Sequence, residues 1–340
     1  MNRITRRTFL GGATALGLGL AGCGGAQKQS ETSSADNGSV TKITFCLDYT
    51  PNTNHTGVYV AQEKGYFTEE GLEVTIVQPA EDSAEAMIGT GKAELGVSYQ
   101  DYMANAFDGG NTDIEAIAAV VQHNTSGIMA RGGEGITRPA AMEGHRYATW
   151  ELPVEQATIR QIVEKDGGDF TKVEEKMVPY TVDDEVMGLK TNLFDCVWVF
   201  EGWAVQNANV QNYAVDYFSF ISIDEVFDFY TPVIAANTTY ASAHPDVIKA
   251  FLRAVKKGYE FAIAQPQDAA DILCEQAPEL DAKLVAQSQA YLAEQYQADA
   301  PSWGLIDKDR WARFFQWLND KGLVQNKLDV NSGWTMEYLA

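Results

Sequence analysis

Aromatic and polar side chains gather where the predicted strands end. Five aromatic residues stand at or just after such ends, namely Tyr49, Tyr99, Trp150, Trp198 and Trp203. Polar residues accompany them, namely Asp48, Asn52, Asn54, His55, Gln100, Asn124, Glu151 and Glu201. Ligands of open α/β sheets bind beyond the carboxyl ends of the strands. We therefore predict that these residues line a binding cleft.

The segments that carry these residues lack basic side chains. Lysine and arginine are absent from residues 47–63, 95–112, 147–159 and 191–212. A phosphate or sulfonate can bind at helix N-termini, but strong anion sites usually add a cation. The absence therefore disfavours a strongly anionic ligand.

Aromatic rings beside acids suit a flat heteroaromatic ligand that donates hydrogen bonds. Offset-stacked rings contribute about 0.5–1.5 kcal/mol per pair beyond the buried area. A carboxylate can accept a proton from an exocyclic amino group and share another with the adjacent ring nitrogen. We predict an aminopyrimidine-like ligand, with Glu201 and Asp48 accepting from its amino group and ring. The predicted stacking residues are Tyr49, Trp150, Trp198 and Trp203.

Each of these residues also has a structural interpretation. A tryptophan can belong to a lobe core, and a single Asp or Glu is usually a solvated surface group. Asp48, just past a buried strand, and Glu201, between aromatic residues, are the acids that we favour. His55 has two open interpretations, a helix cap or a ligand contact.

Short apolar runs alternate with helical patterns from residue 40 onward. The predicted strands are 42–47, 73–77, 94–99, 114–122, 127–130, 146–149, 176–179, 194–199, 214–220 and 232–237. The predicted helices are 57–64, 83–89, 101–107, 154–164, 183–190 and one from Gly202. This alternation predicts an α/β fold with largely parallel sheets covered on both faces. A glycine-rich loop at 132–144 separates two such units.

Two amphipathic helices follow near the C-terminus. Pro245 begins one of them, and Trp311 lies in the other, which ends at Gly322. Aromatic residues at helical spacing are usually core, and we expect both apolar stripes to be buried.

The first residues have the features of an export signal. Arg3, Arg6 and Arg7 precede a short apolar run at 11–21. Residues 5–10 resemble the twin-arginine export motif, although twin arginines also occur in Sec signals. Residues 20–23, Leu-Ala-Gly-Cys, resemble the bacterial lipobox, which implies a signal peptide at 1–22 and acylation of Cys23; the alternative is an ordinary signal peptide. Residues 23–41 then form a polar tether that holds the protein at the extracytoplasmic face of the cell membrane.

Charge and cysteine content exclude several functions. The net charge of −22 argues against nucleic acid and against anionic lipid surfaces, so the lipid anchor is the predicted membrane contact. Cys46, Cys196 and Cys274 are too far apart for a disulfide scaffold, and we expect free thiols. The four histidines show no metal-ligand spacing, and we predict no metal and no cofactor.

Residues 47–57, Leu-Asp-Tyr-Thr-Pro-Asn-Thr-Asn-His-Thr-Gly, resemble solute-binding proteins for thiamine pyrimidine precursors. Further matches lie at 59–61, 64–67, 70–72, 124–127, 198–203 and 244–246, and the resemblance spans 43–324. It implies the type II periplasmic-binding-protein fold, with two lobes, two crossovers near 127–131 and 220–237, and a ligand in the cleft. It also implies a monomer that delivers its solute to an ABC importer permease. We predict lobe 1 at 42–128 with 232–340, and lobe 2 at 129–231.

The same wider group contains fungal pyrimidine synthases and binding proteins for sulfonates and riboflavin. The synthases resemble this sequence at the early loop, residues 47–57, where His55 resembles their functional histidine. However, they look to require a Cys-Cys-Cys-Phe-Cys motif, which this sequence lacks. We therefore predict a binding protein and not an enzyme. Tyr49, where tryptophan is common, and Glu151-Leu152, where smaller residues are usual, leave riboflavin or a sulfonate open as the solute.

Overall fold

The computed structural model describes residues 40–79, 82–177 and 184–339. The predicted signal peptide, Cys23 and nearly all of the tether lie outside these residues. In the described part, the strands are β1 Thr41–Cys46, β2 Leu72–Val77, β3 Leu95–Ser98, β4 Ile114–Ala119, β5 Ser126–Arg131, β6 Arg146–Thr149, β7 Glu174–Met177, β8 Cys196–Phe200, β9 Val215–Ser219 and β10 Val233–Asn237.

Helices alternate with these strands as the apolar pattern predicts. The α-helices of the described residues are α1 Thr56–Glu63, α2 Tyr66–Glu69, α3 Ala84–Gly89, α4 Gln100–Asp108, α5 Pro153–Lys165, α6 Glu185–Lys190, α7 Gln206–Val210, α8 Thr238–Ala243, α9 Pro245–Ala264, α10 Pro266–Gln276, α11 Ala282–Gln295 and α12 Lys308–Lys321. A short 3-10 helix, Thr53–His55, precedes α1, and a π-helical turn, Glu201–Val205, precedes α7.

The strands form two five-stranded sheets. Their orders are β2-β1-β3-β10-β4 and β7-β6-β8-β5-β9. We call the first sheet with its helices lobe 1 and the second sheet with its helices lobe 2. The chain passes from β4 to β5 through residues 120–125, and it returns from β9 to β10 through residues 220–232. The first crossover therefore precedes the predicted position near 127–131, because those residues pair within the second sheet as β5, and the predicted lobe boundary at 128 falls inside this strand. The α/β architecture is therefore confirmed.

The sheets are less parallel than we predicted. β10 runs antiparallel to both of its neighbours in lobe 1, and β5 does the same in lobe 2. Each of these strands enters its sheet directly from the other lobe. A parallel connection needs a crossover, usually a helix, that brings the chain back across the same sheet, and neither strand is preceded by one. Local sequence patterns carry no information on this long-range connection.

The core of lobe 1 forms where α1 and α9 pack together. The ring of Phe251 stacks on Phe45 of β1 and on Phe67 of α2, at 5.5 and 5.4 Å between centroids. Gly258 lets the two helices touch, since a Cβ there would lie 1.9 Å from the carbonyl oxygen of Gly57. The apolar stripe of α9 is core, as predicted.

The second predicted stripe is also core. Trp311, Phe314, Phe315 and Leu318 of α12 are buried. Gly322 ends this helix at φ 64°, a left-handed conformation that glycine adopts without steric cost. Cys46, Cys196 and Cys274 are free thiols; the first two are buried and Cys274 is partly buried. Among the described residues, no helix combines the length and apolar character needed to cross a bilayer.

Candidate ligand-binding cleft

A cavity of about 570 Å³ lies between the two lobes. This volume falls in the range of pockets that hold small organic ligands. The lining comes from α4, from the loop that joins β6 to α5, from α6, from the end of β8 with the π-helical turn, and from the return crossover. The lining residues are Tyr99, Asp101, Tyr102, Asn105, Trp150, Leu152, Pro153, Val154, Glu155, Glu185, Trp198, Val199, Phe200, Trp203, Ala204, Phe229, Thr231 and Leu323.

Aromatic rings dominate this lining. Tyr99 stacks against Phe200 of the other lobe at 6.4 Å between centroids, and Tyr102 meets Tyr99 edge to face. Four of the five predicted aromatic residues line the cavity, namely Tyr99, Trp150, Trp198 and Trp203. The fifth, Tyr49, is 68% exposed and lies outside the lining.

The loop that carries Trp150 is fixed by one glutamate. Glu155 accepts hydrogen bonds from the backbone N–H groups of Trp150 and Leu152 and from the hydroxyl of Tyr147. Pro153 begins α5, where its fixed φ suits the first helical turn. Glu151 has φ 58°, an uncommon conformation for a residue with a side chain, and its N–H donates to Thr149 Oγ1. This turn presents the Trp150 ring to the cleft.

Asp48 is held in a buried hydrogen-bond chain. The backbone N–H of Asn52 donates to His55 Nδ1, so Nε2 carries the proton that His55 donates to Asp48 Oδ1 at 2.6 Å. The Tyr99 hydroxyl donates to the other carboxylate oxygen. Burial alone would raise the pKa of Asp48, but attraction to His55 and the hydrogen bonds from His55 and Tyr99 lower it.

This hydrogen-bond chain bears on the two interpretations left open for His55. The side chain is fully buried, and it forms a capping box with Asn52 at the short helix before α1. Of the two interpretations left open, the structure shows the helix cap. Asp48 is not itself a lining residue of the cavity, and its connection to the cavity is the hydrogen bond from the lining residue Tyr99.

Gln100 and Asn124 hold the backbone rather than face the cleft. The Gln100 amide bridges the backbone of Tyr230 and Trp311, and its side chain has no exposed surface. Asn124 accepts from the N–H of Ser126 and donates to the carbonyl of Phe227. Both amides are engaged within the protein, so a direct ligand contact from either is not supported.

Glu201 lies at the junction between the lobes. Its carboxylate accepts from the hydroxyl of Tyr291 on α11 at 2.9 Å. Beside it, Ser288 of α11 donates to the carbonyl of Gly202 and lies 2.6 Å from the hydroxyl of Thr53. Glu201 is partly buried and lies next to the lining residue Phe200, but it is not itself a lining residue. Glu151 is exposed and also lies outside the lining.

The acids that do line the cavity were missed in the sequence. They are Asp101 in the first turn of α4, Glu155 in the first turn of α5 and Glu185 in the first turn of α6. An acid in the first turn ordinarily complements the helix dipole, so its position alone gives no sign of a binding role. Tyr102 and Phe200 were missed as well, each one to three residues from a residue that was predicted.

Burial perturbs these acids. It raises the pKa of Asp101 to about 6, with a further contribution from the negative charge of Glu85. Burial also raises the pKa of Glu185. No lysine or arginine of the described residues lines the cavity, and the described residues contain no cluster that could hold a metal ion. The cavity is thus aromatic and acidic.

Solved structures share this fold. The periplasmic aliphatic sulphonate-binding protein SsuA of Escherichia coli superposes with a TM-score of 0.70 at 15% identity, covering 88% of this chain and 99% of SsuA. The desulfurization enzyme DSZB gives a TM-score of 0.62 at 12% identity, covering 88% of this chain and 97% of the enzyme. The predicted periplasmic-binding-protein fold is confirmed, and the same fold serves binding proteins and an enzyme.

Sequence comparisons point to pyrimidine-related proteins. A formylaminopyrimidine-binding protein of Halalkalibacterium halodurans is 28% identical over 317 residues, which are 89% of this chain and 90% of that protein. A 4-amino-5-hydroxymethyl-2-methylpyrimidine phosphate synthase of Aspergillus parasiticus is 24% identical over 322 residues, 89% of this chain and 88% of the synthase. The family model described as NMT1/THI5 like matches residues 52–269, well over half of the chain. The chain belongs to the NMT1/THI5-like family.

Proposed function

We propose that this protein is the extracytoplasmic solute-binding lipoprotein of an ABC importer and that its solute is an aminopyrimidine related to the thiamine precursors. The solute sits in the cleft between lobe 1 and lobe 2. The membrane permease of the importer is its partner, and Cys23 carries the lipid anchor.

The composition of the cavity is the observation that carries the ligand assignment. Seven aromatic rings of the described residues line it, those of Tyr99, Tyr102, Trp150, Trp198, Phe200, Trp203 and Phe229. Three carboxylates stand among them, with no basic residue of the described chain in the lining. A flat ring stacks on such walls, and its N–H groups find acceptors. An aminopyrimidine has both properties, and the relative from Halalkalibacterium halodurans is named for binding a formylaminopyrimidine.

A sulfonate fits this lining poorly. An anion among three acids and no described cation would be repelled, because charge-assisted bonds from Arg or Lys are the usual means of holding sulfonate and phosphate groups. The likeness to SsuA concerns the fold, and sulfonate binding does not follow from it.

Catalysis of the synthase kind is also disfavoured. The fungal synthases resemble this chain at the early loop, but here His55 is fully buried and bonded to Asp48. The cysteines of the described residues are separate free thiols. A buried, hydrogen-bonded histidine without a metal-binding cysteine cluster supports a binding role.

A calorimetric panel tests the proposal. The purified mature protein is titrated with 4-amino-5-hydroxymethyl-2-methylpyrimidine, its N-formylaminomethyl counterpart, riboflavin, taurine and an alkyl sulfonate. We expect tight binding of an aminopyrimidine and none of the sulfonates. Tight binding of a sulfonate with no response to the aminopyrimidines would overturn the ligand assignment. Formation of a pyrimidine product on incubation would overturn the binding-protein assignment.

A further inference from the structure

Two carboxylates in the cavity have no counter-charge among the described residues. Glu155 is engaged with the hydroxyl of Tyr147 and two backbone N–H groups. Asp101 and Glu185, by contrast, bond to no side chain of the described residues. Asp101 belongs to α4 of lobe 1 and Glu185 to α6 of lobe 2, so both lobes bring an unpaired acid to the cavity.

Within the part of the chain that the structure describes, the surroundings of Asp101 offer it no cation. The titratable groups that face it are Glu85 of α3, which accepts from Ser98, and the Tyr102 phenol on its own helix. Tyr99 and its partner Asp48 adjoin them. These side chains are all acids or phenols, and the hydrogen bonds that Asp101 accepts come from the backbone N–H groups of its own helical turn. An ionised carboxylate in such a place is costly unless something positive joins it.

The aromatic walls favour the same partner. The face of an aromatic ring attracts a cation, by about 0.5–2 kcal/mol depending on how far the pair is desolvated. Trp150 and Trp203 line the same cavity as the two acids. The carboxylates and the ring faces therefore both favour a flat cation as the ligand.

We propose that Asp101 and Glu185 make this site selective for a ligand that binds with a positive charge, an aromatic amine protonated on its ring or on an ammonium side arm. The inference rests on the proposed function and names the charge state in which the solute is held. A protonated aminopyrimidine presents two parallel N–H donors, one from the amino group and one from the ring nitrogen, which match the two oxygens of a carboxylate. We assign this contact to Asp101.

Proton linkage follows from this pairing. Burial raises the pKa of Asp101 to about 6. The carboxyl group and a weakly basic ring therefore titrate in the same pH range, near neutral pH. The bound pair holds one proton. Above the pKa values of both free partners that proton must be taken from solution, so the affinity falls about tenfold for each pH unit.

The experiment measures the dissociation constant of 4-amino-5-hydroxymethyl-2-methylpyrimidine from pH 6.5 to 8.5 by calorimetry. A permanently charged ring, 4-amino-1-methylpyridinium, and the uncharged 4-oxo analogue of the pyrimidine complete the set of probes. The proteins are the wild type, Asp101→Asn, Glu185→Gln and the control Asp113→Asn, at an exposed position outside the lining. Thermal unfolding verifies that each variant is folded.

We expect the wild type and Asp113→Asn to lose affinity for the aminopyrimidine as the pH rises and to reject the 4-oxo analogue. Asp101→Asn should bind at least tenfold more weakly at pH 6.5 with a flattened pH slope, and Glu185→Gln should weaken binding of the permanent cation. A wild type that binds the aminopyrimidine without a pH slope, and equally well in Asp101→Asn, would overturn the inference and leave the proposed function intact. Binding of the permanent cation but not of the aminopyrimidine, lost in Asp101→Asn, would support the inference and refute the aminopyrimidine as the solute. Binding of neither probe would refute both the inference and the proposed ligand.

Discussion

The Nδ1 atom of His123 lies 2.8 Å from Oδ2 of Asp228, and this contact joins the two crossovers between the lobes. Its other ring nitrogen, Nε2, lies 2.9 Å from Oδ1 of Asp299. Ionised carboxylates only accept, so both contacts are satisfied at once only by the doubly protonated ring. Arg310 also pairs with Asp228, which further ties α12 to this junction.

Stability should therefore depend on pH through His123. The hydrogen bond to Asp228 raises the pKa of His123; burial opposes this, and Asp299 adds to it. A raised pKa means that the stabilisation is complete below the unfolded value and is lost as the pH rises through the folded value. We expect about 1 kcal/mol of unfolding free energy to be lost between pH 6 and pH 8.5 in the wild type and not in His123→Gln. Urea unfolding measures this, with His145→Gln as the control; an identical pH slope in His123→Gln would refute the assignment.

Asp101 should favour ligand binding while it lowers the stability of the ligand-free protein. Its pKa is raised to about 6 by burial, so the ligand-free protein loses stability as the pH rises through that value and the carboxylate ionises. Asp101→Asn should therefore stabilise the ligand-free protein at pH 8, by on the order of 2 kcal/mol, and have much less effect at pH 4.5. Thermal unfolding at the two pH values measures the difference. A destabilised variant at pH 8 would show that the ionised carboxylate is favourably placed.

Trp150 and Tyr49 separate ring stacking from simple proximity to the cleft. Trp150 lines the cavity, whereas Tyr49 is 68% exposed and does not. Trp150→Ala should lose about 1.5 kcal/mol of binding free energy or more, roughly tenfold in affinity, for any flat ligand. Tyr49→Ala should change the affinity less than twofold. Calorimetry on both variants tests this. A larger loss of affinity in Tyr49→Ala than in Trp150→Ala would place the ligand nearer to the loop that follows β1.

Glu201 and Tyr291 form a pair that spans the lobes. If the Glu201 carboxylate serves mainly to hold Tyr291, then Glu201→Gln and Tyr291→Phe should be non-additive in the unfolding free energy of the ligand-free protein. We expect a coupling of about 1 kcal/mol, because Tyr291→Phe removes the hydrogen bond and Glu201→Gln removes the charge that strengthens it. The double-mutant cycle is measured in urea. Additive losses, with an affinity loss confined to amino-bearing ligands in Glu201→Gln, would instead support direct ligand contact.

We predict that membrane attachment depends on Cys23. Cys23→Ala should move the protein from the membrane fraction to the soluble fraction and abolish incorporation of labelled fatty acid, because one residue carries the whole anchor. Cys274→Ala is the control, since this thiol lies in the folded body. Retention of Cys23→Ala in the membrane fraction without lipid label would contradict the anchor.

Much of the fold was predictable because it depends on local patterns. β6 occupies the predicted residues, and Ser83 caps α3 through the N–H of Ala86, as its residue type indicates. The directions of β5 and β10 were not predictable, since they depend on where the chain crosses between lobes. Two predicted elements extend beyond the described residues. They are the strand at 176–179, of which residues 178–179 lie outside, and the helix at 183–190, of which residue 183 lies outside.

Only part of the candidate site could be predicted from the ends of strands. The strand-end rule found Tyr99, Trp150, Trp198 and Trp203, because they follow strands directly. It favoured Asp48 over Asp101, because it does not extend into the helix that follows a strand. Gln100 stands at an ideal strand end, but its partners Tyr230 and Trp311 are more than a hundred residues away and cannot be foreseen from sequence.

Tyr99 combines two contacts that bear on how much entropy binding costs. Its ring lines the cavity, while its hydroxyl is tethered to Asp48, which His55 holds in turn. Immobilising a free side chain on binding costs about 0.5–1.5 kcal/mol. For Tyr99 that cost is met when the chain folds, so one wall of the cleft is preorganised before any ligand arrives. Tyr99→Phe would keep the ring and release the tether, turning a fixed wall into a mobile one.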